Sequence, residues 1–387
     1  MAHPYINTDI LALVRRQNRL VATDIDHTLT HLKPGFEGWE REVQARSAFL
    51  AWARTRAAVG AVSMRTPALM MSKSMYDASV ALGFNEPLPK IGVDIDGKRF
   101  ELYPDQSPEH TSLYSFDYNV GIGWGVMLKA GNAYMFDRNY ERFLNPPEAW
   151  RKNLFEMLRH IFEGSDKNLK SYIPLIDMED AYERGEVDVG PIPYRGQLNF
   201  KTLEEKKWFL REFEKIRMGN FPSTNFANLL GLMDESKVNS AQPEKSSYQM
   251  YLLPKGGTKG ETMSYFVRQI SLATDIDQRD LKILMTGDSM TDVTMGCSSC
   301  PLSTVTFLVA GNRLTDYLTD PTCTSYAGED VSQITARLKI ERGMPQGFYN
   351  LHGFSRKRHV VFLSKVYPSL SAPESLAAFA SEFGDIV

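Results

Sequence analysis

The sequence predicts an α/β protein in which a core built on a parallel sheet is interrupted by an inserted α/β domain. Three observations lead to this fold class. Short apolar runs alternate with helical patterns in residues 1–97 and again in residues 248–345, as in parallel sheets with crossover helices. The stretch between them, residues 98–247, is instead rich in aromatic residues, proline and glycine. A chain of 387 residues is also too long for one small core.

Helices and strands alternate from the beginning of the chain. The first helix is expected to start at a capping residue, Asn7 or Thr8. Apolar runs with the length of a buried strand follow it, and one of them ends abruptly at Asp24. The predicted order is helix Asn7–Asn18, strand Leu20–Ala22, helix Trp39–Thr55, strand Ala57–Ser63, helix Pro67–Leu82 and strand Ile91–Val93.

The inserted stretch combines helical patterns with the strand patterns of an antiparallel or mixed sheet. Its elements are helices at Pro147–Phe162 and Leu203–Arg217 and strands at Phe100–Tyr103, Gly123–Lys129, Asn132–Phe136 and Val187–Val189. Alternation then resumes with strand Gln249–Leu253, helix Glu261–Leu272, strands Lys282–Thr286 and Val305–Val309, and helix Val331–Leu338. Residues 346–387 form a C-terminal extension to which the pattern assigns no place.

Composition and charge argue against several classes of protein. A net charge of −3, from 44 basic and 47 acidic residues, predicts neither a nucleic-acid-binding surface nor a polybasic membrane patch. Three cysteines are too few for a disulfide framework, and we interpret Cys297 and Cys300 as small residues in a packed turn. The N-terminus does not resemble a signal peptide, and no run reaches the ~18 apolar residues of a membrane helix. We therefore expect a cytoplasmic protein.

Polar side chains follow the predicted parallel strands, at the edge where open parallel sheets bind ligands. Buried carboxylates are costly without a partner or a metal ion, so such a group predicts a site that holds a cation. Carboxylate oxygens suit Mg²⁺, with Asp288 as a ligand and Asp292 as a ligand or its neighbour. The polar side chains are Asp24 and Asp26, Ser63 and Arg65, a lysine of the turn Pro254–Gly260, and Asp288 and Asp292.

These residue types fit phosphoryl transfer. Asp24 would attack phosphorus as a nucleophile, while Asp26 would protonate the leaving oxygen and then activate water. Ser63 and a lysine, either Lys255 or Lys259, would hold the phosphoryl oxygens. Mg²⁺ would neutralise charge between the phosphate and the carboxylates, which is most of the work in such transfers.

The same residues resemble the motifs of the haloacid dehalogenase superfamily of phosphotransferases. DIDHT at Asp24–Thr28 is similar to its DxDxT motif, SMRT at Ser63–Thr66 to its second motif, and TKG at Thr258–Gly260 to its third. GDSMTD at Gly287–Asp292 resembles GDSxND, its fourth motif, and AGN at Ala310–Asn312 resembles the VGN that often follows. Their order and spacing make the joint resemblance specific. The sucrose-phosphatase-like and Cof-like branch is the most similar.

This resemblance implies a Mg²⁺-dependent phosphatase with a Rossmann-like core and a type-two cap over residues 98–247. Members of the branch act mostly on sugar phosphates, so the implied partner is a small phosphorylated metabolite. The resemblance implies Asp24 and Asp26 as catalytic residues, Ser63, Lys259, Thr28 and Arg65 as phosphate-binding residues, and Asp24, Asp26, Asp288 and Asp292 as metal ligands. A phosphomutase of the same superfamily and a catalytically silent binding protein with this fold are the alternatives.

Three positions depart from the family pattern, and none of them removes a charged catalytic group. His27 stands where glycine is usual, Met64 replaces the glycine of the second motif, and Thr291 replaces an asparagine. His27 is either a spacer or a contact of the leaving group. The departures therefore bear on the substrate and on the efficiency of catalysis.

Overall fold

The structure is a computed structural model that describes most of the chain. The described residues are 8–30, 37–63, 91–95, 98–102, 116–122, 125–130, 133–144, 150–163, 165–172, 196–234, 246–311, 314–315, 318 and 331–385. They form a sheet of twelve strands and a sheet of three, with helices packed against them. The predicted α/β class, with a large and mostly parallel sheet, is confirmed.

Strands from both ends of the chain meet in the large sheet. In chain order the strands are β1 (Arg19–Thr23), β2 (Ala58–Ser63), β3 (Ile91–Ile95), β4 (Lys98–Leu102), β5 (Tyr118–Gly121), β6 (Gly125–Ala130), β7 (Ala133–Phe136), β8 (Gly196–Phe200), β9 (Leu230–Asp234), β10 (Tyr248–Pro254), β11 (Lys282–Gly287), β12 (Thr304–Val309), β13 (Leu338–Ile340), β14 (Phe348–Leu351) and β15 (Arg358–Phe362). The order in the large sheet is β13-β14-β15-β12-β11-β1-β2-β5-β6-β7-β3-β4. The six strands from β15 to β5 are parallel.

Helices connect these strands and cover the sheets. They are α1 (Thr8–Gln17), α2 (Trp39–Arg56), α3 (Arg138–Leu144), α4 (Trp150–Phe162), α5 (Leu203–Met218), α6 (Thr224–Ala227), α7 (Lys259–Thr274), α8 (Met290–Val293), α9 (Val331–Arg337), α10 (Leu363–Val366) and α11 (Ala372–Phe383). Within the described part of the chain, none of them has both the length and the apolar character of a membrane-spanning helix.

β1 lies in the middle of the parallel strands, between β2 and β11. Thr23 is level with Ala61 of β2 and with Thr286 of β11. Side chains of β1 alternate between two apolar clusters, one shared with α1 and α7 and the other with α2 and α11. Burial on both faces explains why the strand reads as an uninterrupted apolar run in the sequence.

On the side away from β1, β2 pairs in parallel with β5. The strand that begins at Ile91, β3, pairs with β4 and β7 at the far end of the sheet. The packing between β5 and β2 is close: the ring of Tyr118 occupies the space above Gly60, where a Cβ atom would lie 2.0 Å from it. The hydroxyl of Tyr118 also donates a hydrogen bond to the carbonyl of Val21 at 2.6 Å.

The smaller sheet, β8-β10-β9, is antiparallel and has its own apolar core with α4 and α5. β10 leads from this sheet towards α7 through four residues. Strands between residues 98 and 136 belong to the large sheet, and β10 belongs to the smaller one. A division into core and cap at residues 98 and 247 stays a prediction. The helix predicted over Pro67–Leu82 and the strand over Val187–Val189 lie outside the described residues.

The C-terminal extension, residues 346–387, adds to the core. β15 pairs in parallel with β12 and antiparallel with β14. α11 packs on α2, and Phe379 of α11 is buried in the apolar cluster that includes β1. The extension therefore covers one face of the sheet and continues it beyond β12.

Candidate active site

Asp24 follows β1 directly, at the carboxyl end of the parallel strands. Its amide donates a hydrogen bond to the carbonyl of Thr286 at 2.9 Å, which continues the pairing with β11 by one residue. The hydroxyl groups of Thr23 and Thr286 bond to each other at 2.7 Å just before it. These contacts hold a buried carboxylate, 6% exposed, at the edge where open parallel sheets bind ligands.

A tight turn follows Asp24. The amides of Leu29 and Thr30 both donate to the carbonyl of Ile25 at 3.0 Å, and the amide of His27 donates to the carbonyl of Thr30 at 2.7 Å. His27 has a φ of 60°, in the left-handed region that glycine adopts most easily. This conformation gives a physical reason why glycine is usual at that position of the motif. The His27 side chain is exposed.

Lys259 is the first residue of α7, and a capping box fixes the start of that helix. The amide of Glu261 donates to Thr258 Oγ1 at 3.2 Å, and the amide of Thr258 donates to Glu261 Oε2 at 3.3 Å. The Lys259 side chain is buried, and its Nζ donates to Asp24 Oδ1 at 3.0 Å and to Asp292 Oδ1 at 2.6 Å. Lys255 is exposed. The structure thus brings Lys259 to Asp24.

Asp292 closes the turn that follows β11. Its Oδ2 accepts hydrogen bonds from the amides of Asp288 and Ser289, each at 3.0 Å, and from Ser289 Oγ at 2.9 Å. Its Oδ1 remains in contact with Lys259. Asp288 Oδ1 accepts from Thr28 Oγ1 at 3.3 Å, which ties this turn to the one after β1. The Asp292 carboxylate therefore stabilises the loop through its hydrogen bonds, and the loop positions the Asp288 carboxylate.

Two motif glycines make room for these contacts. A Cβ atom on Gly260 would lie 2.3 Å from the carbonyl oxygen of Thr294, so the first turn of α7 can pack against the segment after Asp292 only because the side chain is absent. Gly287 leaves space in the same way for Asp292 itself. Close packing, against backbone at Gly260 and against the Asp292 side chain at Gly287, is the reason for glycine at both positions, rather than an unusual φ.

The charged groups around Asp24 affect the pKa of its carboxylate. Burial raises the pKa of Asp24 well above its usual value, the Lys259 ammonium opposes this shift, and the carboxylates of Asp292, Asp288 and Asp26 raise it further. Two of these buried carboxylates, Asp24 and Asp292, contact the Lys259 ammonium group, and Asp288 is buried beside them. A bound cation would stabilise the charged forms of these carboxylates.

The donor set fits a magnesium ion. One carboxylate oxygen from each of Asp24, Asp288 and Asp292 lies within 4.8 Å of the others, and all three residues are buried. Hard, anionic oxygen ligands are those that Mg²⁺ prefers in proteins. Among the described residues, Asp26 is not part of this group and its side chain is half-buried, so its role as a metal ligand stays a prediction.

Ser63 ends β2 at the same edge of the sheet. On β2, the strand next to β1, Ala61 pairs with Thr23, the residue before Asp24. Ser63 therefore lies two residues further towards the carboxyl end of β2 than the partner of Thr23. Its side chain is buried. Arg65 of the second motif and Asn312 of the last one fall outside the described residues. The phosphate-binding roles of Ser63, Thr28 and Arg65 stay predictions.

Sequence reasoning missed the residues that hold the site in place rather than enter it. The sequence did carry a signal for Thr258 and Glu261, because a threonine followed three residues later by glutamate is the signature of a capping box. Ser289, which bonds to Asp292, carries no comparable signal. Its contact depends on how the chain turns after β11, and only the structure shows that turn.

No protein-family model matches the chain, and no curated protein matches it by sequence. Solved structures do match. Sucrose-phosphatase from Synechocystis sp. is 13% identical, over 76% of this chain and 84% of that chain, with a TM-score of 0.41. A haloacid dehalogenase-like hydrolase from Bacillus subtilis is 12% identical, over 80% and 91%, with a TM-score of 0.42. Trehalose-6-phosphate phosphatase from Aspergillus fumigatus is 14% identical, over 79% and 90%, with a TM-score of 0.36. Two of these three solved structures are therefore phosphatases by name, and the third is a haloacid dehalogenase-like hydrolase.

Proposed function

We propose that this chain is a Mg²⁺-dependent phosphomonoester hydrolase that acts through an aspartyl phosphate on Asp24. The observation that carries the proposal is the position of Asp24. Its carboxylate lies at the carboxyl end of a central parallel strand, 3.0 Å from the Lys259 ammonium and within 4.8 Å of carboxylate oxygens of Asp288 and Asp292. Such a site has both a nucleophile and the positive charge that a phosphoryl group requires.

The proposed reaction has two steps. A carboxylate oxygen of Asp24 attacks phosphorus, the bond from phosphorus to the ester oxygen breaks, and Asp26 gives its proton to the departing alcohol. Asp26 then accepts a proton from water as that water attacks the same phosphorus. The bond to Asp24 breaks, and inorganic phosphate leaves with the carboxylate restored. Lys259 balances the negative charge of the phosphoryl oxygens in both steps.

Asp24, Asp288 and Asp292 would hold the magnesium ion, and the ion would supply charge neutralisation for the phosphoryl oxygens. Asp292 is held on both sides, by the loop amides through Oδ2 and by Lys259 through Oδ1. This anchoring orders the negative charge of the site before any substrate binds. Such preorganisation is where most catalytic stabilisation arises.

We propose a sugar or glycosyl phosphate as the substrate, on the strength of the motif resemblance. Selection would lie in the part of the chain with the smaller sheet, because that part has a separate apolar core and connects to α7 through β10. The four motifs do not explain the choice of substrate, since in this mechanism they act on the phosphate, the metal and the ester oxygen that every phosphomonoester has.

The test is phosphate release from a panel of sugar phosphates and other phosphorylated metabolites with Mg²⁺. Wild type is compared with Asp24→Asn and with Asp280→Asn, a matched change at an exposed acid just before β11. Release by wild type and Asp280→Asn, with loss in Asp24→Asn, supports the mechanism. Equal release by all three removes Asp24 as nucleophile. Transfer of phosphate to a second hydroxyl of the substrate, without release, indicates a mutase.

A further inference from the structure

The segment after Asp292 ends in a helical turn whose carbonyl groups need partners. α8 continues into a π-helical turn over Thr294–Ser298, and the chain then turns away at Ser299. The last carbonyls of any helix have no partner within the helix. Here that end is buried: Cys297 and Cys300 are each 1% exposed, so water cannot supply the missing donors.

Arg358, from the C-terminal extension, supplies the donors. It is the first residue of β15, and its side chain is 1% exposed. Its Nη1 donates to the carbonyl of Gly296 at 2.8 Å, and its Nη2 donates to the carbonyls of Ser299 and, at 3.2 Å, Cys300. The guanidinium also lies 4.1 Å from the ring centre of Phe354. A cation at the carboxyl end of a helical segment is favoured by the helix dipole.

The other end of the same segment carries the site. Thr294 Oγ1 donates to the carbonyl of Thr291 at 3.0 Å and accepts from the amide of Gly260 at 3.3 Å, next to Lys259. Gly296 is packed so closely on Phe307 of β12 that a Cβ atom there would lie 2.1 Å from the ring. The segment from Asp292 to Cys300 is thus held by α7 at its start, by β12 along its length and by Arg358 at its end.

We infer that Arg358 is a positioning residue for the metal-binding carboxylates. It acts through the helical turn to keep Asp292, and with it the loop that presents Asp288, in the arrangement that binds a cation. This inference rests on the proposed function for its chemistry. It also assigns a role to the C-terminal extension, which is linked to the site through the contacts of Arg358 with residues 296–300.

The test measures Mg²⁺ binding by calorimetry on full-length protein without substrate. Arg358→Met keeps a long apolar side chain and removes all three donated hydrogen bonds. We expect it to weaken Mg²⁺ binding by about 10- to 100-fold, the usual effect of losing a group that orients metal ligands. Arg358→Lys, which retains the charge and part of the bonding, should fall between Arg358→Met and wild type.

Val361→Ala is the matched control for general damage to β15. Val361 is buried on the opposite face of the strand, in the cluster with α11, so its truncation weakens the strand without touching residues 294–300. It should lower the melting temperature and leave Mg²⁺ affinity unchanged. Circular dichroism checks the folding of each variant, and Arg358→Lys carries the test if Arg358→Met does not fold.

Two results would overturn the inference. One is a folded Arg358→Met or Arg358→Lys that binds Mg²⁺ as tightly as wild type. The other is an equal loss of Mg²⁺ affinity in Val361→Ala. Failure of the proposed function is recognised separately: wild type then binds Mg²⁺ and releases no phosphate from any phosphomonoester in the panel, while the effect of Arg358 on binding is still measured.

Discussion

Gly287 and Asp292 are packed so closely that a side chain on the glycine would overlap the carboxylate. A Cβ atom at Gly287 would lie 2.3 Å from Asp292 Cγ and 2.6 Å from its Oδ2. That same Oδ2 accepts the hydrogen bonds of the loop, and Oδ1 contacts Lys259. The absence of one side chain therefore determines where a carboxylate of the site can lie.

Gly287→Ala should force Asp292 away from the loop amides and from Lys259. A displacement of about 1 Å at a catalytic group typically costs about 100-fold, so we expect kcat/KM for the best phosphomonoester to fall by that order. Gly231→Ala is the control, since the nearest atom to its new methyl group would be 3.7 Å away, an ordinary contact. Unchanged kinetics in Gly287→Ala would mean that the position of Asp292 does not matter for turnover.

Lys259→Met should remove the ammonium from the site while keeping the length of the side chain. Loss of one stabilising donor for developing charge usually lowers kcat by about 100- to 1,000-fold, and we expect that loss here. The control is Lys255→Met, an exposed lysine of the same turn, which should keep wild-type kcat. Steady-state kinetics with one substrate and saturating Mg²⁺ checks both. A larger loss in Lys255→Met would reverse the assignment of the two lysines.

His27→Gly should be tolerated. His27 holds a left-handed conformation, which costs a residue with a side chain about 1–2 kcal/mol, and its side chain is exposed. We expect the glycine variant to keep kcat/KM within a few-fold and to be as stable as wild type to within about 1 kcal/mol, because relieved strain offsets chain entropy. His27→Val should be less stable than both, since a β-branched residue fits this conformation poorly. A large drop in kcat for His27→Gly would instead indicate a contact with the leaving group.

Stability should fall in alkaline solution because of buried tyrosines. Burial, and then the charge of Asp117, raises the pKa of Tyr118 well above 10, and burial likewise raises the pKa of Tyr140 and Tyr265. A folded pKa above the unfolded one contributes stability that is complete below pH 10 and is lost as pH rises towards the folded pKa. Each unit of difference corresponds to about 1.4 kcal/mol.

Urea unfolding between pH 8 and pH 11 measures this loss. Tyr118→Phe should lose stability less steeply above pH 10 than wild type, although it is less stable near pH 8 because the carbonyl of Val21 loses its partner. Parallel curves for the two proteins across this range would show that Tyr118 does not contribute to the alkaline loss.

Much of the core could be predicted because its signals are local. An apolar run such as Leu20–Ala22 reports burial on both faces, and an acid directly after it reports the end of a strand. The neighbours of each strand were harder to predict. β5 lies beside β2 because Tyr118 fits over Gly60, and neither residue carries a mark of that contact in the sequence.

The residues of the site likewise divide into those with a local signal in the sequence and those whose role depends on distant contacts. Asp24, Asp288 and Asp292 stand out because carboxylates at strand ends are rarely buried without use. The choice of Lys259 over Lys255 came only from the resemblance of TKG to the third motif. Arg358 does not stand out, since an arginine in the pattern RKRHVVF reads as solvated until β15 is seen to pair with β12. Contacts between residues 58 to 62 positions apart, such as those of Arg358, depend on topology, and the extension had no predicted place in it.

The position of β1 affects how the protein is made. Thr23 and Thr286 face each other across the β1–β11 pairing, 263 residues apart. At roughly 5–20 residues per second, a ribosome needs about 10–50 s to synthesise the chain between them. During that time β1 exists with one hydrogen-bonding edge exposed on the nascent chain, a known aggregation risk for apolar strands. The edge of β1 that faces β11 in the finished fold therefore has no native partner until late in synthesis, even if β2 has already paired with the other edge.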